Sequence, residues 1–177
     1  MSNSGIRFLA EADSLPFKDL RLKSLRDDPD SWLSSIEEED SLPDVNFALK
    51  IRSANYEGVF GYYGYFIDNK LLAYAQISSN YWNKKSHIVN LFDVCVSKEV
   101  RRKGIGTKLI RFITVKIKNA RPEVEQIQLK VNSRNNGASK FYESFGFQKA
   151  ATISEGVKEK DGSYQDECLY VLNVKTK

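Results

Sequence analysis

Leu91-Phe92-Asp93-Val94-Cys95-Val96-Ser97-Lys98-Glu99-Val100-Arg101-Arg102-Lys103-Gly104-Ile105-Gly106-Thr107-Lys108-Leu109 is the stretch that decides how this chain is read. Its first part completes a strand from His87 to Val96, apolar enough to be central in a sheet. After a short polar link come three cations, Arg101, Arg102 and Lys103, and then Gly104 and Gly106 open a helix. That helix continues to Lys118, with Ile105, Leu109, Phe112, Ile113 and Ile117 on one stripe and Lys108, Arg111, Lys116 and Lys118 off it. Glycines let a backbone curl tightly and let a bulky anion approach its N–H groups. A helix N-terminus adds unsatisfied donors and the positive end of the macrodipole. Arginine can grip phosphate oxygens in a fork. A strand, a basic glycine turn and a helix in this order ask for a phosphate or diphosphate.

Two familiar phosphate motifs are excluded. A P-loop needs four residues between its glycines and a following Lys-Ser or Lys-Thr, and here only Ile105 separates Gly104 from Gly106. A dinucleotide fingerprint needs glycine or alanine at its sixth position, where this chain has Leu109.

Upstream, Ile6 to Leu9 reads as a short strand, and Leu15, Leu20, Leu22 and Leu25 recur as in a helix that Asp27-Asp28-Pro29 stops. Helical pieces are expected from Ser31 through the acidic run Glu37–Asp40, and around Val45–Arg52. Val59–Ile67 and Leu71–Ile77, rich in aromatic and β-branched residues, flank the turn Asp68-Asn69-Lys70 and form a hairpin. Downstream, Val124–Val131 is a strand, and Ala138, Phe141, Tyr142 and Phe145 stripe a helix that Gly146 stops. Phe147 begins another strand, and Glu167–Leu172 is the last. No repeat or linker interrupts the 177 residues, so a single mixed α+β domain is expected over 1–177.

Composition narrows the class. With 41% hydrophobic and 28% charged residues, the chain is neither disordered nor fibrous. No run approaches the roughly 18 apolar residues of a membrane span, and the opening Met1-Ser2-Asn3-Ser4-Gly5-Ile6-Arg7 lacks a signal-peptide layout. Cys95 and Cys168 lie in apolar segments without metal-ligand spacing and are expected as buried thiols. His87, the only histidine, has no partners for a metal site. A cytoplasmic, metal-free protein is expected. Residues 1–60 carry 7 Lys/Arg against 12 Asp/Glu, while the remainder carries 20 against 11, which leaves the basic excess around the glycine turn. A nucleic-acid surface ranks last, because the turn and helix surfaces account for most of these cations.

Arg101, Gly104 and Gly106 match [QR]-x-x-G-x-[GA] at a strand-to-helix turn, and Asn135, Ala138, Tyr142, Gly146 and Phe147 match N-x-x-A-x-x-x-Y-x-x-x-G-F. On these two motifs the chain resembles the GCN5-related N-acetyltransferase superfamily. The resemblance implies a mostly antiparallel twisted sheet of about six or seven strands, flanked by about four helices and splayed at the cofactor-binding strand. It implies acetyl-CoA as cosubstrate and a primary amine of a small molecule or peptide as acceptor, attacked directly in a ternary complex. Backbone groups of Val94, Cys95 and Val96 would pair with the pantetheine arm, Arg101, Arg102, Lys103, Gly104, Ile105, Gly106 and Thr107 would form the pyrophosphate turn, and Asn135 would hydrogen-bond the cofactor. Tyr142 would protonate the departing sulfur, and the N–H of Cys95 or Val96 would polarise the thioester carbonyl.

The base is where the sequence departs from the pattern. Asn90 stands where many members carry Glu, and an amide cannot take up a proton usefully. Asp93 is the nearest carboxylate and the candidate base, but strand alternation points it away from Asn90's face unless a bulge intervenes. The Asn90 departure keeps open a non-catalytic acyl-CoA-binding module on the same fold. Dimers are common in the superfamily, so a homodimer is a further expectation.

Overall fold

The computed structural model describes residues 4–175, so the opening Met1–Asn3 lies outside the described residues. Seven strands form one sheet: β1 (Ser4–Phe8), β2 (Gly61–Ile67), β3 (Lys70–Ser79), β4 (Ile88–Val96), β5 (Gln126–Asn132), β6 (Gln148–Lys158) and β7 (Tyr164–Asn173). Their order across the sheet is β1-β2-β3-β4-β5-β7-β6, antiparallel throughout except for the β4–β5 pair. Five helices flank it: α1 (Ser14–Asp27), α2 (Ile36–Asp40), α3 (Asp44–Ala54), α4 (Ile105–Ala120) and α5 (Asn136–Phe145). The expected mixed α+β architecture, with its mostly antiparallel sheet, is the one observed.

Local chemistry explains the connections. Asp68 and Asn69 both take positive φ, 47° and 64°, in a two-residue turn between paired Ile67 and Lys70. That backbone suits the right-handed twist of the strands it joins, and Asn and Asp tolerate it. Ser35 caps α2 by accepting the Glu38 N–H while Glu38 reaches back to the Ser35 N–H at 2.8 Å. Gly146, at φ 113°, ends α5 in the left-handed conformation.

Each face of the sheet has its own core. Under α4, a cluster including Val89, Leu91, Leu109, Ile113, Ile117, Ile127 and Leu129 packs the residues that the helical stripe and the strand alternation put there. On the opposite face, Phe17, Leu20, Leu25, Phe47 and Ile51 of α1 and α3 pack on Tyr62, Tyr74 and Cys95. The aromatic residues of the central hairpin therefore divide: Tyr63 and Tyr65 belong to the first core, Tyr62 and Tyr74 to the second. Tyr81 and Trp82 stand exposed on the β3–β4 connection. Both cysteines are buried free thiols, as their apolar settings predict.

Candidate functional site

β4 and β5 pair over only three residues, Ile88–Asn90 with Gln126–Gln128. Beyond that seam, β4 continues to Val96 and β5 to Asn132 without pairing to one another. A wedge thus opens in the middle of the sheet, with Asn90 and Gln128 at its apex. An unpaired strand edge is a row of backbone donors and acceptors ready for an extended ligand.

A bulge marks the β4 side of the wedge. Tyr74 of β3 faces Cys95 and Gln76 faces Phe92, so Ala75 alone stands opposite Asp93 and Val94. Asp93 absorbs the extra residue at φ 46°. The bulge inverts the side-chain alternation. Val89 and Leu91 point into the α4 core, and past the bulge Val94 and Val96 do so instead, with Cys95 in the opposite core. Asp93 consequently lies on the α1–α3 face, the one Asn90 occupies before the bulge.

There its carboxylate is fully engaged. Tyr62 donates its hydroxyl to Asp93 Oδ2 at 2.6 Å, and Arg21 Nη1 and Lys50 Nζ each lie 3.6 Å from a carboxylate oxygen. Burial, then the Asp93 charge, pushes the Tyr62 phenol far above its ordinary value, so it is a fixed donor. Arg21 grips Glu39 through Nε, at 3.1 and 3.0 Å, and through Nη2 at 2.6 Å, and it stacks 4.1 Å from the Trp32 ring centroid. Burial pushes Glu39 upward, but its bonds to Arg21 and Ser34 outweigh this and hold it below the ordinary carboxylate value. Sequence reading missed this network. Its signal was phase: Arg21 falls on the buried stripe with Phe17, Leu20, Ser24 and Leu25.

At the mouth of the wedge, the glycine turn is built as its sequence demands. Arg102 and Gly104 take positive φ, 61° and 75°, curling the chain into α4. A Cβ at Gly104 would meet nothing within 4 Å, so this glycine is needed for its backbone alone. At Gly106 the reason differs: a Cβ would lie 3.1 Å from Phe141 Cζ of α5 and 3.5 Å from a Val96 methyl. The end of β4, the start of α4 and the body of α5 meet at this one point. The helix ladder begins with Lys108 N–H to Gly104 O at 2.9 Å, which leaves the N–H groups of Ile105, Gly106 and Thr107 ahead of it. Arg102 and Lys103 are exposed and make no ion pair among the described residues. The Arg101 guanidinium, expected to grip phosphate, instead bonds Asp28 at 2.6 Å and Val96 O at 2.9 Å.

Tyr142 lies on α5, and Asn135 is the N-cap of that helix. The Tyr142 ring is buried against Phe141 and Phe147, with centroids at 5.2 and 5.5 Å. Burial raises the pKa of its hydroxyl, so it holds its proton. Asn135 caps α5, accepting Ala138 N–H at 2.9 Å, and donates to Ser31 Oγ at 2.9 Å. Asn132 likewise reaches Asp30 O at 3.3 Å. The 28–31 segment is therefore tied to the glycine turn on one side and to β5 and α5 on the other.

Each member of the acidic run on α2 has a cation within ion-pair distance. Glu37 and Glu38 face Lys160, Glu39 faces Arg21 and Asp40 faces Arg26. Lys160, in the β6–β7 turn, also donates to Ser35 Oγ at 2.8 Å, which docks that turn on α2. Exposed Phe92 lies just before the bulge, a cleft-side apolar residue that the sequence pattern did not single out. No group of metal-ligating side chains exists among the described residues, and no described helix is long and apolar enough to cross a membrane.

Comparison with known proteins agrees with this geometry. Residues 20–147 match the acetyltransferase (GNAT) family. An acetyltransferase of the GNAT family from Streptococcus pneumoniae shares the fold at a TM-score of 0.80 and 18% identity, over 97% of this chain and 100% of that one. A putative acetyltransferase from Salmonella typhimurium, solved with its cofactor acetyl-CoA, matches at 0.81 and 16%, over 99% and 96%. The ribosomal-protein-S18-alanine N-acetyltransferase of Escherichia coli matches at 0.71 and 18%, over 99% and 96%. No curated protein sequence matches this chain.

Proposed function

We propose, from the premise that this chain belongs to the acetyltransferase (GNAT) family, that it transfers the acetyl group of acetyl-CoA to a primary amine of a small molecule or peptide. The observation that carries this reading is the wedge beyond the Asn90–Gln128 pair, with the bulge on one wall and the free N–H groups of α4 at its mouth. An extended pantetheine arm pairs with the unpaired edge at Val94–Val96. The pyrophosphate sits on the N–H groups of Ile105, Gly106 and Thr107, with Arg102 and Lys103 supplying charge. Asn135, held as a helix cap, contacts the same ligand from the far wall.

In the reaction, the neutral amine nitrogen attacks the thioester carbonyl carbon, whose oxygen accepts a hydrogen bond from the N–H of Cys95 or Val96. The C–S bond breaks as the amide forms, and the sulfur takes the Tyr142 proton. The nitrogen's surplus proton passes to solvent water, from which Tyr142 is reprotonated. Asp93 accepts the Tyr62 hydroxyl and lies within ion-pair distance of Arg21 and Lys50, and we assign its carboxylate to holding the bulge. That engagement, together with Asn90, also favours a second reading: an acyl-CoA-binding module without turnover.

Acetyl-CoA, a panel of polyamines, aminoglycosides, amino acids and peptides, and a thiol-reactive chromogen decide between the two. Thiol release with any amine supports transfer, while tight CoA binding without release on the whole panel supports the binding module. Tyr142→Phe should lower kcat by about 10²-fold with CoA affinity nearly unchanged. Unchanged turnover would remove Tyr142 from the mechanism.

A further inference from the structure

Asp93 holds a left-handed backbone angle, φ 46°, in the middle of a strand. Such a conformation costs of order 1–3 kcal/mol in a non-glycine residue and persists only where the surroundings over-determine it. Here the surroundings are a buried chain of polar groups: Tyr62 donates to Asp93, Arg21 lies beside it, and Glu39, Ser34 and Trp32 fix Arg21. Arg21 is 3% exposed, and its Nη1, sealed from solvent and without a hydrogen bond among the described residues, has the 3.6 Å ion pair with Asp93 Oδ1. The hydroxyl of fully buried Tyr74 also makes no hydrogen bond among the described residues. A fold seeking stability alone would pair such groups closely, since a buried unsatisfied polar atom costs about 1–3 kcal/mol. What the cluster secures is the shape of β4, because the bulge decides which faces Val94, Cys95 and Val96 present.

We infer that Arg21 is a positioning residue: through Asp93 it holds the β4 bulge, and thereby sets the backbone of Val94–Val96 that pairs with the acyl-CoA arm. This rests on the proposed reading of the wedge as the acyl-CoA site. Arg21 touches no substrate. Its effect reaches the ligand through one carboxylate and one backbone kink, a route that runs from α1 through the sheet.

The test uses the full chain with Arg21→Lys, Asp93→Asn, their double variant, and Ile117→Ala, about three turns from the start of α4, as a destabilised control. Calorimetric Kd for CoA and amide hydrogen exchange at Val94–Val96 are read on each folded variant. Arg21→Lys and Asp93→Asn should each weaken CoA roughly tenfold and speed exchange at Val94–Val96, as expected when a contact surface is displaced by a fraction of an ångström. The double variant should be no weaker than the worse single one, because both act on one element. Ile117→Ala should lose stability yet keep its Kd within about twofold and its exchange there unchanged. Wild-type affinity and exchange in both single variants would overturn the inference, as would a weakening in Ile117→Ala as large as theirs. Should the wild type bind no CoA, the proposed function falls. Exchange at Val94–Val96 then still decides the bulge: faster exchange in the variants upholds Arg21's hold on it, and unchanged exchange overturns it.

Discussion

The two sides of β4 are held by opposite kinds of chemistry. Toward α4, Val89, Leu91, Val94 and Val96 meet Leu109, Ile113 and their neighbours in an entirely apolar seat. Toward α1 and α3, the same strand meets Arg21, Glu39, Lys50, Tyr62 and Asp93, a set of charges and hydroxyls mostly removed from water. Hydrocarbon packing is tolerant of small shifts and rewards volume, whereas a buried ion cluster is stable only with every member in place. The apolar side gives the sheet its strength, and the polar side gives one strand a particular deformation.

The largest effect should come from removing one charge on the polar side. Arg21→Met leaves Glu39 without its cation and Asp93 with Lys50 alone, and should cost about 3–5 kcal/mol in denaturant unfolding. The apolar side answers with Ile117→Ala, a fully buried truncation expected to cost about 2–5 kcal/mol. The comparison sharpens on what each does to a bound ligand: only the first should disturb CoA affinity.

Acid separates the sides next. Glu39 lies below its ordinary value, and so does Asp28, where burial pushes upward but Arg101 outweighs it. Carboxylates with lowered folded values contribute stability that is complete above the ordinary carboxylate range and is lost as pH falls through the lowered values. Thermal unfolding followed from about pH 7 to about pH 3 should therefore show a falling midpoint, and Glu39→Gln should flatten part of that dependence. Ile117→Ala should shift the whole curve down without changing its slope. Smallest is Gly104→Ala, where space is open but φ is 75°. It should cost about 1–2 kcal/mol in stability and weaken CoA only modestly.

The same contrast explains what the sequence made legible. Periodicity reports on apolar seats, so the α4 stripe, the central strand and the α5 stripe were readable, and the glycine spacing located the turn. Polar contacts distant in sequence leave no such trace. Nothing local to Arg21 announces Glu39 eighteen positions on, or Asp93 beyond it. A strand pattern with an aspartate inside it allows a bulge but does not say which face the carboxylate will take. Arg101 shows the same limit: its place in the motif was clear, while its side-chain partner, Asp28, lies 73 positions away.

The three-residue seam between β4 and β5 has a consequence for cooperativity. Strands β1–β4 and strands β5, β7 and β6 are each laced by long antiparallel ladders, whereas within the sheet one set joins the other through the short Ile88–Asn90 and Gln126–Gln128 pairing and the His87 carbonyl beside it. A short seam between two long ladders is where local opening is expected to cost least. A ligand that lies along the open edge bridges both halves and binds only when they are correctly apposed. Its binding energy then adds to the coupling between the halves by mass action. Occupancy of the wedge would be written into the protein as a change in how many pieces it unfolds in.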